Sequence, residues 1–552
     1  MKALFAVLLA TAAPAFAQNA PPALTAPQPA PRAKPELIVA ISVDQFAADL
    51  FTQYRNRYTQ GFARLIAGGA VFPSGYQSHA ATETCPGHST ILTGMRPAHT
   101  GIIANNWVDQ HVPLADKIVY CAEDTSVPGS THESYTVTDR HLKVPTLGEM
   151  MKAANPASRV VSVAGKDRAA VMMGGHKVDE LWWWDGKTFV SYAGRAEPAA
   201  VTAVKAKVAA LVAGPQAPLP LPGYCKPLDR PITAGTQTLG QGRFARAAGD
   251  LKAFRASPAS DAAVLAIAAG LIRDMKLGRG PAPDIISVGL SATDYIGHAN
   301  GTQGTEMCIQ MDQLDAALGS FLDTLDGIDY ELVLTADHGA HDMTERQIER
   351  AMPMETHPVT AAKADAMSAA IGAALGISGP VLVSAESKSG IDSDVYLSAT
   401  LTPAQRQRVI AEAKRRYARL PQIEAVFTAT EIAATPMPTT PPETWSLIQR
   451  TRASFDAQRS GDLLVFFHPR VSGVVTPVQS YVETHGSPWD YDRRVPMLFW
   501  RAGMTPFEQP LSVETVDIVP TLAATIGLPV SGLDGRCLDL DPGPATTCPT
   551  SR

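Results

Sequence analysis

Three apolar runs in this chain lead into an aspartate, and two of those aspartates have a histidine close behind. Leu37-Ile38-Val39-Ala40-Ile41-Ser42-Val43 runs into Asp44. Ile285-Ile286-Ser287-Val288-Gly289-Leu290 leads to Asp294, with His298 four residues on. Leu332-Val333-Leu334-Thr335-Ala336 runs straight into Asp337-His338. Short, continuous β-rich runs of this kind are strands buried on both faces of a parallel sheet. Ligands of open α/β sheets bind outside the carboxyl ends of the strands. One Asp at a strand end is an ordinary turn or cap residue. Three, gathered from distant segments with two histidines attached, point to a polynuclear metal site on a mainly parallel α/β sheet.

The first residues limit where such a site operates. A basic start at Lys2, an apolar stretch from Ala3 to Ala13 and Ala15-Phe16-Ala17 before Gln18 read as a secretory signal peptide over 1–17. That stretch is too short to span a bilayer, and no other segment qualifies, so no membrane association is expected. A Pro/Ala-rich leader fills 18–34, and residues 35–552 then form one catalytic domain with insertions near 171–280 and 350–460. The expected location is the periplasm. Net charge is −6 and no basic tract exists, so nucleic acid is not an expected partner. A monomer acting on small molecules is expected. Six cysteines follow the signal, none in a CxxC, which argues against a thiolate zinc site. In an oxidising compartment some of them pair, with Cys537 and Cys548 placed to staple the tail.

Along the domain, Val160 to Ala164 is a further buried strand that delivers Gly165-Lys166-Asp167-Arg168. Glu180 to Val190 reads as a hairpin with an Asp185-Gly186 turn, inside the first insertion. Thr402 and Pro403 open an amphipathic helix to about Leu420 in the second. Core strands are expected again at Leu463–Phe467 and Pro496–Trp500.

Asp294 and His298, four apart, share one side of a helical turn. With His485, from Glu483-Thr484-His485-Gly486-Ser487, they make three ligands with an open position, the pattern of catalytic zinc. Asp44, Asp337 and His338 supply a second set. Two metals about 4 Å apart could hold the attacking and leaving oxygens of an in-line displacement. Nitrogen and oxygen ligands without thiolate suit Zn²⁺ and leave Mn²⁺ and Fe open. Thr84-Cys85-Pro86-Gly87-His88 has a turn-forming Pro-Gly leading into an apolar helix start. Taken alone, Thr84 reads as a cap; beside a metal set it becomes a nucleophile near a helix dipole that favours a phosphoryl group. His79, His88, His99, His341 and His468 read as structural, and Trp182 to Trp184 as hairpin packing.

In order along the chain, Val43-Asp44, Thr84-Cys85-Pro86-Gly87-His88 with Leu92-Thr93-Gly94, His99-Thr100-Gly101-Ile102-Ile103 with Asn105, Asp294-Tyr295 with Gly297-His298, Ala336-Asp337-His338-Gly339 and Thr484-His485-Gly486 resemble the alkaline phosphatase superfamily. The resemblance spans nearly the whole mature chain and is nearest to the phosphate-irrepressible subgroup that uses threonine. It implies an alkaline-phosphatase-like fold and two Zn²⁺, one on Asp294, His298 and His485, the other on Asp44, Asp337, His338 and Thr84. It implies that Thr84 forms a phosphothreonine that water then hydrolyses, in an enzyme of broad specificity for phosphate monoesters. Asn105 resembles the residue that binds a phosphoryl oxygen, and Lys166 and Arg168 the cation pair of the monoesterases. A monoester dianion has one more bare oxygen than a diester, and two cations favour that extra charge. The alternatives are a phosphodiesterase or nucleotide pyrophosphatase of the same superfamily, and a metal- or phosphate-binding protein without catalysis. A sulfatase does not fit: Thr84 stands at the nucleophile position, His88 at that of the required arginine, and Cys85 is one residue out of register.

Overall fold

The computed structural model describes residues 34–350, 352, 355–385, 393–543 and 546–548. The expected signal peptide and residues 18–33 of the leader lie outside the described residues. A ten-stranded sheet forms the centre. Its main strands are β1 (Leu37–Val43), β2 (Ala70–Tyr76), β3 (Val160–Ala164), β4 (Glu180–Trp184), β5 (Phe189–Val190), β6 (Asp284–Leu290), β7 (Tyr330–Thr335) and β8 (Arg494–Arg501). Across the sheet the order is Phe507–Glu508, β2, β8, β7, β1, β6, β3, β4, β5. The block from β7 to β4 is parallel throughout, whereas β8 runs antiparallel to both β7 and β2.

Every residue of β1 and β6 is buried, as their unbroken apolar runs require. Successive side chains of β1 face opposite ways and feed two cores. Val39, Ile41 and Val43 join Phe46, Phe51 and Phe62 on one face. Ile38 and Ala40 join Phe72, Phe499 and Leu522 on the other. Full burial of each such aliphatic side chain contributes about 1.5–3 kcal/mol, enough to fix the register of the central strands. In that register Leu37 lies opposite Asp284 and Tyr330, so Asp44, Asp294 and Asp337 emerge at one edge of the sheet.

Three expectations about organisation are corrected. The Trp hairpin was expected in an insertion from 171; instead β4 pairs in parallel with β3 and β5 closes the sheet edge. The helix Pro258–Met275 lies under the same core, leaving about 191–257 as the excursion. Leu463–Phe467 was expected in the core sheet; it pairs antiparallel with Ile423–Thr428 and Asp394–Leu397 in a separate four-stranded sheet. A local apolar run cannot specify which sheet it joins; the facing partner decides. Lastly, Pro86-Gly87 does not form a turn ahead of a helix: both lie within the helix Thr84–Ile91. Pro is tolerated in a first helical turn because the missing N–H has no intrahelical acceptor there.

The helix from Thr402 behaves as expected, with a Thr402/Gln405 capping box and residues Pro403–Tyr417 helical. Three disulfides join Cys85 to Cys121, Cys225 to Cys308 and Cys537 to Cys548, which fits an oxidising compartment. No described helix is long and apolar enough to cross a membrane.

Candidate active site

The carboxyl ends of the parallel strands deliver the charged groups. Asp44 follows β1 directly, Lys166 stands two residues past β3, and Asp337 two past β7. Asp294 and His298 lie on the helix Ala292–Asn300 after β6. The buried Asp261 carboxylate accepts from Ala292 N at 2.9 Å, which anchors the first residue of that helix. His485 enters from the loop ahead of β8. Thr84 heads a helix whose residues are all buried. That helix reaches the end of β7 because residue 87 is glycine: a Cβ there would overlap the Asp337 carbonyl.

Two close ligand groups result, Asp294/His298/His485 and Asp44/Asp294/His338. In the first, Asp294 Oδ1 lies 3.3 Å from His298 Nε2 and 3.4 Å from His485 Nε2. In the second, His338 Nε2 lies 3.5 Å from Asp44 Oδ1 and 3.3 Å from Asp337 Oδ2. Asp337 therefore borders the group in which the sequence placed it. Asp294 is drawn in because Lys166 Nζ sits 2.6 Å from both Asp44 Oδ2 and Asp294 Oδ2.

The histidines are oriented by their far nitrogens. His298 Nδ1 donates to Glu483 O at 2.8 Å, His338 Nδ1 to Gly339 O at 2.9 Å and His485 Nδ1 to Thr82 O at 2.8 Å. Carbonyl partners require a proton on Nδ1 and turn each Nε2 toward the cluster, the nitrogen that ligates a metal once it is unprotonated. Asp294 Oδ1, Asp337 Oδ2 and His338 Nε2 are buried without hydrogen-bond partners. Buried polar atoms are ordinarily paired, and a convergent set of unpaired oxygen and nitrogen donors fits a divalent cation.

The electrostatics are those of crowded carboxylates. Burial, then Asp294 and Asp337, push the Asp44 carboxyl well above its ordinary value. Burial alone would raise Asp294, but Lys166 and His298 hold it well below. His298 is pulled down by burial and more than restored by Asp294, to about 9. Burial lowers His338 to about 3, keeping that ring neutral.

Thr84 Oγ1 lies 3.4 Å from Lys166 Nζ and 3.4 Å from Arg168 Nη2. Asp167, between the two cations in sequence, does not pair with their side chains. It accepts instead from Tyr120 OH at 2.7 Å and Tyr135 OH at 2.8 Å, leaving both cations directed at the hydroxyl. Asn105 is held on three sides: Oδ1 accepts from Cys85 N, N–H donates to Glu83 Oε2, and its carbonyl accepts from Cys121 N. Its Nδ2 has no partner among the described residues. All ten sequence-derived site residues are thus accounted for in one site.

Several supporting residues escaped the sequence reading. Gln45, in the left-handed region at φ 66°, donates its N–H to Asp337 Oδ1 and its Nε2 to Glu483. His88 Nδ1 lies 3.0 Å from Asp337 Oδ2. Gln45 and Glu483 adjoin ligand motifs, and that adjacency was the available signal. His88 gave none beyond its motif. His79, His99, His341 and His468 join neither ligand group, and Trp182 to Trp184 are buried packing.

The sequence model of the type I phosphodiesterase/nucleotide pyrophosphatase family matches residues 38–488. This chain belongs to that family. Within the alkaline phosphatase superfamily it is 57% identical to alkaline phosphatase PhoK of Sphingomonas sp over 552 residues, 98% of either chain. Alkaline phosphatase PhoD of Zymomonas mobilis is 48% identical, covering 93% of this chain and 89% of its own. The crystal structure of alkaline phosphatase PafA superposes with a TM-score of 0.78 at 24% identity over 92% of this chain and 99% of that one, so the fold is shared.

Proposed function

We propose that this family member is an alkaline phosphatase, a phosphoric monoester hydrolase that works through a phosphothreonine at Thr84 in a two-zinc site. The observation that carries the reading is the convergence of Lys166 and Arg168 on Thr84 Oγ1, each at 3.4 Å. Two cations beside the attacking oxygen favour its alkoxide form and match the dianion of a monoester. The names and high identity of the PhoK and PhoD relatives support the same reading.

Asp294, His298 and His485 would hold one Zn²⁺, and Asp44, Asp337, His338 and Thr84 the other. When bound, the ions supply Lewis-acid stabilisation to the attacking and leaving oxygens. The chain's own groups do the rest. Asn105 Nδ2, Lys166 and Arg168 bind the non-bridging oxygens and hold phosphorus in line with Thr84 Oγ1. Thr84 Oγ1 gives up its proton to solvent, the new Oγ1–P bond forms as the bond to the ester oxygen breaks, and the alcohol leaves with a proton taken from solvent. Water then attacks phosphorus, the Oγ1–P bond breaks, and Thr84 and inorganic phosphate are restored. Burial of Asp44, Lys166, Asp294 and Asp337 keeps these charges strong. Export to the periplasm fits the three disulfides.

A diesterase reading is favoured by the family's own description alone, and Lys166 with Arg168 argue against it. The direct test is acid-quenched turnover followed by peptide mass spectrometry. A phosphoryl group on Thr84 in the parent, absent from Thr84→Ala, is expected. Full turnover by Thr84→Ala would remove the nucleophile and the reading with it.

A further inference from the structure

A cleft of about 590 Å³ opens beside His298, its walls including Phe244, Lys252, Arg255, Tyr295 and Tyr481. If Thr84 attacks, an in-line leaving oxygen points away from it, toward the ligand group that contains His298. The alcohol portion of the ester therefore emerges into this cleft.

The cleft holds a cation with nothing opposite it. Arg255 Cζ lies 4.2 Å from the centroid of the Tyr295 ring, the ring that also carries Lys166 Nζ at 4.9 Å. Tyr295 thus links the phosphate-facing cation to a second one in the cleft. Among the described residues no carboxylate pairs with Arg255, and its Nε is buried without a hydrogen-bond partner. The acids of the cleft lie on other partners: Asp250 Oδ1 accepts from Ala253 N at 2.9 Å, and Glu306 Oε1 from Arg243 N at 3.0 Å, while Glu306 Oε2 is buried without a hydrogen-bond partner and makes no ion pair with Arg255. Stacking on a ring fixes the plane of a guanidinium and leaves its edge free for a planar or tetrahedral anion.

Backbone strain marks the same place. Arg243 and Phe244 lie in the left-handed region at φ 43° and 61°, as does Ser480 on the wall beside Tyr481, at φ 66°. Non-glycine residues keep such angles only where the surroundings over-determine them, and they cluster at ligand sites.

We infer that this cleft binds the alcohol portion of the substrate and that Arg255 binds a second anion on it. The preferred substrates are then phosphate monoesters whose alcohol bears a carboxylate or a further phosphate. This rests on the phosphomonoesterase reading and adds a substrate class to it.

The test compares kcat/KM for phosphoglycolate with that for ethyl phosphate, and for propane-1,3-diyl bisphosphate with that for propyl phosphate, using zinc-loaded protein at low ionic strength. The parent is expected to prefer the ester whose alcohol bears the second anionic group about tenfold in at least one pair, and that pair identifies the anion. Arg255→Gln should erase the preference, and Arg255→Lys, which keeps the charge without the planar fork, should restore part of it. Parent activity without a preference in either pair would overturn the inference. So would a preference that survives in Arg255→Gln, or equal losses on the esters with and without the second anionic group. Failure of the parent on all four esters would instead sink the phosphomonoesterase reading, and this inference with it.

Discussion

His88 supplies no atom to either ligand group, yet its Nδ1, which donates to Thr84 O at 2.9 Å, also lies 3.0 Å from Asp337 Oδ2, on a carboxylate that borders His338. Outer partners of this kind are worth about 10–100-fold in metal affinity. His88→Ala should therefore weaken zinc binding by about that factor in a competition titration with a chromophoric chelator; unchanged affinity would show that Asp337 is set by the backbone alone. Asp261 offers a pH test. Burial raises its carboxyl to about 6, above its unfolded value. A raised folded pKa gives stability that is fully present below the unfolded pKa and is lost as pH rises through about 6. The loss is up to about 3 kcal/mol between pH 4 and pH 8. Asp261→Asn keeps an acceptor for Ala292 N but no charge. Between pH 5 and pH 8 its urea midpoint should fall less than the parent's, and equal falls would count against the assignment. At this scale the ligands were legible because chemistry and spacing are local. Gln45, His88 and Asp261 were not, because their roles depend on which atoms the fold brings opposite them.

The disulfide between Cys85 and Cys121 joins the helix headed by Thr84 to the segment that presents Tyr120. Backbone N–H groups of both cysteines bond to Asn105, and Tyr120 OH bonds to Asp167 and Arg168. One covalent link thus fixes Thr84, Asn105 and Arg168 relative to each other, the proposed nucleophile and two of the proposed phosphoryl contacts. With its ends 36 positions apart in sequence, the bond contributes about 3–4 kcal/mol by restricting the unfolded chain. Replacing both cysteines by serine should lower monoester kcat/KM about tenfold and the midpoint of unfolding with it. Loss of stability alone, with turnover intact, would confine the bond to a structural role. Connectivity was not legible because cysteine spacing does not encode pairing. The same limit explains Leu463–Phe467: its composition says strand, and only the antiparallel register with Ile423–Thr428 says which sheet. The Trp hairpin was read correctly as a hairpin for its local Asp185-Gly186 turn, and misplaced because its parallel partner lies at Val160–Ala164.

Across the whole molecule, the ends of three central strands converge on carboxylates that repel one another, so a bound cation stabilises the fold as well as the reaction. Chelation should abolish turnover and lower the melting temperature by several degrees, and added Zn²⁺ should restore both. An unaltered melting temperature after complete metal removal would separate the site from the fold. The central claim is that Lys166 and Arg168 make this site select the monoester dianion. The most direct measurement is the kcat/KM ratio for an aryl phosphate monoester over its methyl diester, in the parent and in Lys166→Ala and Arg168→Ala. A large monoester preference is expected in the parent, dropping at least tenfold in each variant through loss of monoester turnover. A parent that prefers the diester, or variants that lose both activities in proportion, would contradict it.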